Sequence, residues 1–257
     1  MNKEKWAVVT GIASGIGAAT AEILREKGFR ILGIDRAEVV VADRYLRADL
    51  SRADDIDALV ANIDVPIKAL CNVAGLPPTA GALATMKVNF FGLRDLTEKL
   101  VPKLVDEASI VNVASLAGMG WAQNLDRIRA CLATSSLADA EGFVARHGIT
   151  DENSYFFSKE VLIAWTLKSW SRWRERGIRM NTVSPGPVMT PIHKDFLATL
   201  GERAAKDAER VERPAFPQEI APVIAFLCSN ESRWIRATNI AADSGLFAAA
   251  QEEILSF

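Results

Sequence analysis

Cysteine, histidine and tyrosine are scarce in this chain, at three, two and two residues in 257. Cys71, Cys131 and Cys228 form no close pair along the sequence and no metal-ligand spacing. That argues against a disulfide framework and suits a reducing, cytoplasmic setting. His147 and His193 lack spaced cysteine or carboxylate partners, so no metal site is expected. Thirty basic against 32 acidic side chains leave a net charge of -2, and without a long basic run there is no footprint for nucleic acid. The longest charge-free stretches, Ala69–Met86 and Ala108–Leu125, are interrupted by Pro, Gly, Asn and Gln. A membrane span needs ~20 mostly apolar residues. The residues before Trp6 show no signal-peptide architecture.

The hydrophobic share, 49%, is enough for a large core. Short apolar runs alternate with longer amphipathic ones. Trp6–Thr10, Phe29–Ile34, Ile67–Val73, Ser109–Ala114, Ile178–Val183 and Asn239–Ala242 read as strands. Ala18–Lys27, Ser51–Ile63 with Ser51 as N-cap, Thr85–Val105, Ser154–Arg176 and Gln218–Ser229 read as helices. Gly28 and Gly177 stand as helix terminators. Ala37–Leu46 has no clear pattern. This alternation predicts an α/β fold: one doubly wound, Rossmann-type domain over 1–257 with a mostly parallel sheet.

Thr10-Gly11-Ile12-Ala13-Ser14-Gly15-Ile16-Gly17 lies between the first strand and the first helix. Glycines allow a tight turn and close backbone approach, and the helix N-terminus behind them presents free N–H groups to a pyrophosphate. The plain alternative is an ordinary Gly-rich loop, but Asp35 ends the second strand 18 residues beyond Gly17. A carboxylate there accepts the ribose hydroxyls of an adenosine and repels a 2′-phosphate, which favours NAD over NADP. The guanidinium of Arg36 pulls the other way, since it can pair with a 2′-phosphate.

The Gly-x3-Gly-x-Gly spacing resembles the short-chain dehydrogenase/reductase family, and further matches follow in that family's order. Asp49-Leu50 resembles its adenine-contacting pair. Asn72-Val73-Ala74-Gly75 resembles its Asn-Asn-Ala-Gly motif, and Asn89 falls where the family has a helix Asn. Ser115 closes a strand as the catalytic Ser does, and Tyr155-x3-Lys159 matches the catalytic pair. Asn181–Thr190, including Pro185, Gly186, Val188 and Thr190, resembles the nicotinamide-side motif. The resemblance implies a nicotinamide dinucleotide on Gly11, Ser14, Gly15, Ile16, Gly17, Asp35, Arg36, Asp49, Leu50, Asn72, Ala74, Gly75, Tyr155, Lys159, Pro185, Gly186, Val188 and Thr190. It also implies that Asn89 holds a water relaying protons through Lys159.

Tyr155 and Lys159, four apart, share one helix face. A phenol of pKa near 10 is a poor base at neutral pH, so the neighbouring ammonium and an oxidised nicotinamide are expected to lower it. Tyr155 then exchanges a proton with an alcohol or carbonyl, while Ser115 donates to the substrate oxygen.

Ser115 and Tyr155 are 40 residues apart, farther than is usual in the family. The excess, about 122–153, contains a helical stretch, Leu125–His147. It is expected to cover the helices many members use to form tetramers, leaving a homo-oligomer, a dimer, built elsewhere. This insertion resembles the branch with coniferyl-alcohol and 3α-hydroxysteroid dehydrogenases. The segment 187–213 reads as a substrate lid, on which Ile192, Phe196 and Leu200 recur at spacing four. Trp121 either walls an aromatic pocket or packs under the insert. Trp165, Trp170 and Trp173 read as core or interface, and Trp234 as packing near the C-terminus. Ala237 and Ser244 stand where the family often has glycine. The expected substrate is a hydrophobic, aromatic alcohol; the alternatives are a steroid or general carbonyl substrate, or a dinucleotide-binding protein without turnover.

Overall fold

The computed structural model describes residues 4–38, 42–196 and 209–255. Seven parallel strands form one sheet in the order β3-β2-β1-β4-β5-β6-β7. They are β1 (Lys5–Thr10), β2 (Phe29–Asp35), β3 (Arg44–Arg47), β4 (Ile67–Asn72), β5 (Leu104–Val113), β6 (Arg179–Pro185) and β7 (Asn239–Ala242). Successive side chains alternate between the two faces of the sheet. Trp6 and Val8 therefore join one core, beneath α2 (Ala53–Ala61), α4 (Leu93–Leu100) and α7 (Asp151–Lys168). Ala7 and Val9 join the other, beneath α1 (Gly15–Glu26) and α8 (Pro217–Leu227). A last helix, α9 (Leu246–Leu255), follows β7.

Several boundaries differ from the sequence reading for local reasons. The patternless segment includes β3, an edge strand held by pairing with β2 and not by an apolar run of its own. Helix α2 begins at Ala53 with Arg52 as its N-cap, not Ser51, because the Ser51 N–H is turned onto the Asp49 carboxylate at 2.8 Å. The segment expected to be one helix from Thr85 is α3 (Ala82–Met86), a wider π-turn over Lys87–Gly92, α4, and a short 3-10 turn. The π-turn lets Gly92 meet the carbonyl of Leu50, where a Cβ would stand 1.8 Å from the oxygen. Helix α7 stops at Lys168, not Arg176, and two 3-10 turns lead to Gly177 at φ +65°.

The insert is two helices, α5 (Leu125–Ala133) and α6 (Ala140–Arg146), not one. Thr134 breaks it with extended backbone at ψ 145°, and Ser136 with Asp139 forms a capping box that starts the next turn. Ile128, Cys131, Leu137 and Phe143 carry the insert into the core on the α7 side. Arg94 of α4, itself buried, donates to the Thr134 carbonyl at 3.0 Å, and the Phe143 ring stacks on Phe157 of α7. Trp165 is core, stacked edge-on to Phe90, whereas Trp170 is exposed. Trp234 is 98% exposed, contrary to the packing expected from the sequence. Cys71 and Cys228, 157 residues apart, meet with their sulfurs 3.5 Å apart in the second core.

Candidate active site

A cavity of about 940 Å³ opens at the carboxyl ends of the strands, at the crevice where strand order reverses about β1 and β4. Its floor is the Gly-rich turn. A Cβ on Gly17 would stand 2.1 Å from the Gly11 carbonyl oxygen, and one on Gly11 2.8 Å from the backbone of Ala74. Only glycine permits that packing of turn, helix and loop. Helix α1 has no side chain capping its N-terminus and no acid in its first turn, so its free N–H groups face the cavity unopposed. The Thr10 hydroxyl accepts from the N–H groups of Val73 and Ala74, both at 3.0 Å, and so pins the loop after β4 to the end of β1.

At one end of the cavity the Asp35 carboxylate is aimed by two backbone donors, Ala13 and Ala37, each at 3.0 Å. Arg36, Asp49 and Leu50 line the same end, and Ser14, Gly15, Ile16, Ala74 and Gly75 the middle. Pro185, Gly186, Val188 and Thr190 form the opposite wall. Two of the expected residues stand behind the wall. Asn72 is buried, and its amide donates to Thr97 and to Asn112, which in turn donates to Thr166 of α7. That relay fastens the sheet to two helices, and Asn72 is not among the residues that line the cavity. Asn89, in the π-turn, clasps Leu76: its oxygen accepts from the Leu76 N–H at 2.7 Å and its amide donates to the Leu76 carbonyl at 3.0 Å.

Tyr155 and Lys159 face the other end of the cavity from α7, joined there by Ser115. A capping box of Thr150 and Asn153 starts this helix, whose surface is buried nearly all round. Ser115 accepts from the Ala117 N–H at 3.1 Å, which leaves its own proton to donate. Burial pushes the Tyr155 phenol up to about 12, against the opposite pull of the nearby Ser115 hydroxyl. Burial also brings Lys159 down to about 8. Within the protein itself, desolvation dominates the phenol's shift. The Lys159 nitrogen stands 5.6 Å from the Tyr155 ring centre and donates instead to the Val113 carbonyl at 2.9 Å.

The lid stem is held at both ends, since Met189 donates to the Ala215 carbonyl and Ala215 to that of Pro187. Ile192 and Phe196 line the cavity, and the Phe196 ring meets Tyr155 edge-on at 4.7 Å between centroids. Leu200 and the rest of 197–208 lie outside the described residues. Trp121 is not part of the wall; it packs, half-buried, on the core beneath the insert. The sequence reading missed Thr79 and Asp195, which hydrogen-bond at 3.2 Å between the loop after β4 and the lid. It also missed Phe156 and His193, both in the lining. Their signals are positional only, beside motif residues.

The family model described as short chain dehydrogenase matches residues 5–125, and the one described as enoyl-(acyl carrier protein) reductase matches 129–247. Coniferyl-alcohol dehydrogenase of Pseudomonas sp. (strain HR199 / DSM 7063) is 40% identical over 242 residues, covering 93% of this chain and 95% of the relative. The 3-alpha-hydroxysteroid dehydrogenase/carbonyl reductase of Comamonas testosteroni is 32% identical over 249 residues, at 93% and 95% coverage. Among solved structures, 3-alpha-hydroxysteroid dehydrogenase from Pseudomonas sp. B-0831 complexed with NADH aligns at TM-score 0.81 and 30% identity, over 97% of this chain and 99% of that one. The glycine-floored cavity suits a nicotinamide dinucleotide, as that complex holds. With its sheet order, the chain matches these relatives over nearly its whole length, and it belongs to the short-chain dehydrogenase/reductase family of oxidoreductases.

Proposed function

We propose that this oxidoreductase moves hydride between a hydrophobic, aromatic alcohol and NAD, with Tyr155 as its acid–base group. The observation that carries the reading is that Ser115, Tyr155 and Lys159 line one cavity together, with the Phe196 ring edge-on over Tyr155. A bound nicotinamide supplies the hydride acceptor or donor, and its oxidised ring adds a positive charge beside the phenol.

The chain's own residues do the rest. The α1 N-terminus takes a pyrophosphate, and Asp35 takes the adenosine ribose, which favours NAD over NADP. Lys159, tethered to Val113, reaches toward the nicotinamide ribose. Ser115, with its oxygen occupied by the Ala117 N–H, donates to the substrate oxygen where charge develops. Burial keeps the phenol neutral, so it holds the proton that carbonyl reduction takes up. Alcohol oxidation requires the phenolate, so that direction gains as pH rises. Asn89 acts by clasping the loop after β4 beside Lys159.

The aromatic preference is supported by the 40% relative, whose name gives coniferyl alcohol. The second reading, a 3α-hydroxysteroid or general carbonyl substrate, is supported by the 32% relative and the structural neighbour. Reduced-nicotinamide formation with coniferyl alcohol and a 3α-hydroxysteroid in parallel, each with NAD and NADP, separates them. Turnover of the first well above the second upholds the reading, and the reverse gives the steroid reading. Tyr155→Phe should lose nearly all turnover yet keep NADH binding; activity within about tenfold of the parent removes Tyr155 from the role.

The insert covers α4 and α7 through Arg94 and Phe143, which supports a dimer built away from those helices. A tetramer on sedimentation at micromolar concentration would overturn this. Three buried free thiols support a reducing, cytoplasmic setting. Among the described residues no helix is long and apolar enough to cross a membrane.

A further inference from the structure

Ser115 and Tyr155 reach the cavity from different elements, and something must fix the gap between them. The turn Leu116–Gly118 leaves the end of β5 and lies directly on α7. A Cβ added to Gly118 would stand 2.7 Å from both the carbonyl carbon and the oxygen of Lys159, and 2.9 Å from the Ile163 side chain. The first two are backbone atoms of a fully packed helix and have nowhere to move. Gly118 is itself buried, with ordinary φ, so close approach alone demands glycine here.

The same turn is bound to Ser115 at both of that residue's polar ends. The Gly118 N–H donates to the Ser115 carbonyl at 2.9 Å, and the Ala117 N–H donates to the Ser115 hydroxyl at 3.1 Å. The turn is therefore a short rigid bracket. One end rests on the Lys159 backbone, one turn from Tyr155, and the other end carries the Ser115 hydroxyl.

We propose that Gly118 is a positioning residue that sets the Ser115–Tyr155 distance by seating this bracket against the backbone of the helix carrying Tyr155 and Lys159. It touches neither substrate nor cofactor and acts through Ser115. The inference rests on the roles proposed for Ser115 and Tyr155. It predicts that widening the contact by one methyl group withdraws the Ser115 hydroxyl from Tyr155.

The test is a double-mutant cycle of Gly118→Ala with Ser115→Ala, measured as kcat, NADH affinity and the pH profile of alcohol oxidation. Gly118→Ala should lower kcat by roughly tenfold to a hundredfold, the scale of an ångström-sized misplacement, with NADH affinity unchanged. Its alkaline activation should move to higher pH, as in Ser115→Ala, because the phenol loses the neighbouring hydroxyl that opposes the effect of burial. In the Ser115→Ala background the further loss from Gly118→Ala should be under about threefold, since residues acting as one unit are not additive. Should Gly118→Ala alone not fold, Gly118→Ala with Ile163→Val relieves the side-chain part of the clash and keeps the backbone part.

A Gly118→Ala enzyme with the parent's kcat and pH profile overturns the inference. So does a loss that multiplies with that of Ser115→Ala, which marks a general packing defect. If Ser115→Ala and Tyr155→Phe both keep parental turnover, the proposed chemistry fails first, and that result is distinct.

Discussion

Lys159 donates its ammonium to the Val113 carbonyl at 2.9 Å, and that bond ties α7 to the last residue of β5. Because the nitrogen is buried, desolvation brings its pKa down to about 8. Below pH 8 the folded chain bears the cost of a buried charge. As pH rises from 8 toward the unfolded value near 10.4, the folded state has already released the proton and the cost fades. Lys159→Met, free of that charge, should gain on the parent most at neutral pH. The stability gap should move toward the parent by about 2 kcal/mol between pH 7 and 9.5. Urea denaturation at the two values checks this, and a pH-independent gap would mean an unshifted lysine.

Asp35 accepts from Ala13 and Ala37, so its carboxylate is aimed before any ribose arrives. Asp35→Ala should weaken NAD by roughly tenfold or more, the scale of hydrogen bonds to a charged group. NADP should be affected less, because the lost charge also repelled a 2′-phosphate. Fluorescence titration with both reduced cofactors measures it. A parent that already prefers NADP would reverse the reading of Asp35 over Arg36.

Phe196 covers Tyr155 edge-on. An aromatic substrate seated on Tyr155 takes up that contact, worth about 0.5–1.5 kcal/mol beyond area. Phe196→Ala should therefore raise KM for an aromatic alcohol by about two- to tenfold, with kcat changed little. Equal KM values in parent and variant would take Phe196 out of the pocket.

Ala237 and Ser244 hold left-handed backbone, at φ +52° and +56°. These are the two positions where the family often has glycine, and the backbone has kept the shape without the residue suited to it. Such a conformation costs an L-residue about 1–2 kcal/mol, partly offset by the entropy a glycine loses on folding. Ala237→Gly and Ser244→Gly should each stabilise by about 0.5–1 kcal/mol. A rise in Tm of about 1–3 °C per substitution is expected from differential scanning calorimetry, and a fall in Tm would show that the loop gains from the side chain more than the strain costs.

The sequence alone determined what depends on neighbours along the chain. Apolar runs and helical spacing located six of the seven strands and the helix with Tyr155 and Lys159 on one face. The glycine turn could be read because Gly17 answers to Gly11 within the turn and Gly11 to Ala74 one strand away. Asp35 could be read because a strand end is a local event. Tertiary structure decided whatever depends on elements far apart in sequence. Strand β3 exists through its pairing with β2, and the insert breaks in two where Arg94 and the core receive it. Asn72 is drawn into a buried relay, away from the cavity. Cys71 meets Cys228 across 157 residues, and Gly118 meets Lys159 across the gap that the insert opens in the sequence. The Tyr155 phenol is the clearest case: local spacing placed a lysine beside it, but burial by surrounding elements pushes the phenol up to about 12. Desolvation sums over every atom packed around a group, and those atoms come from the whole fold.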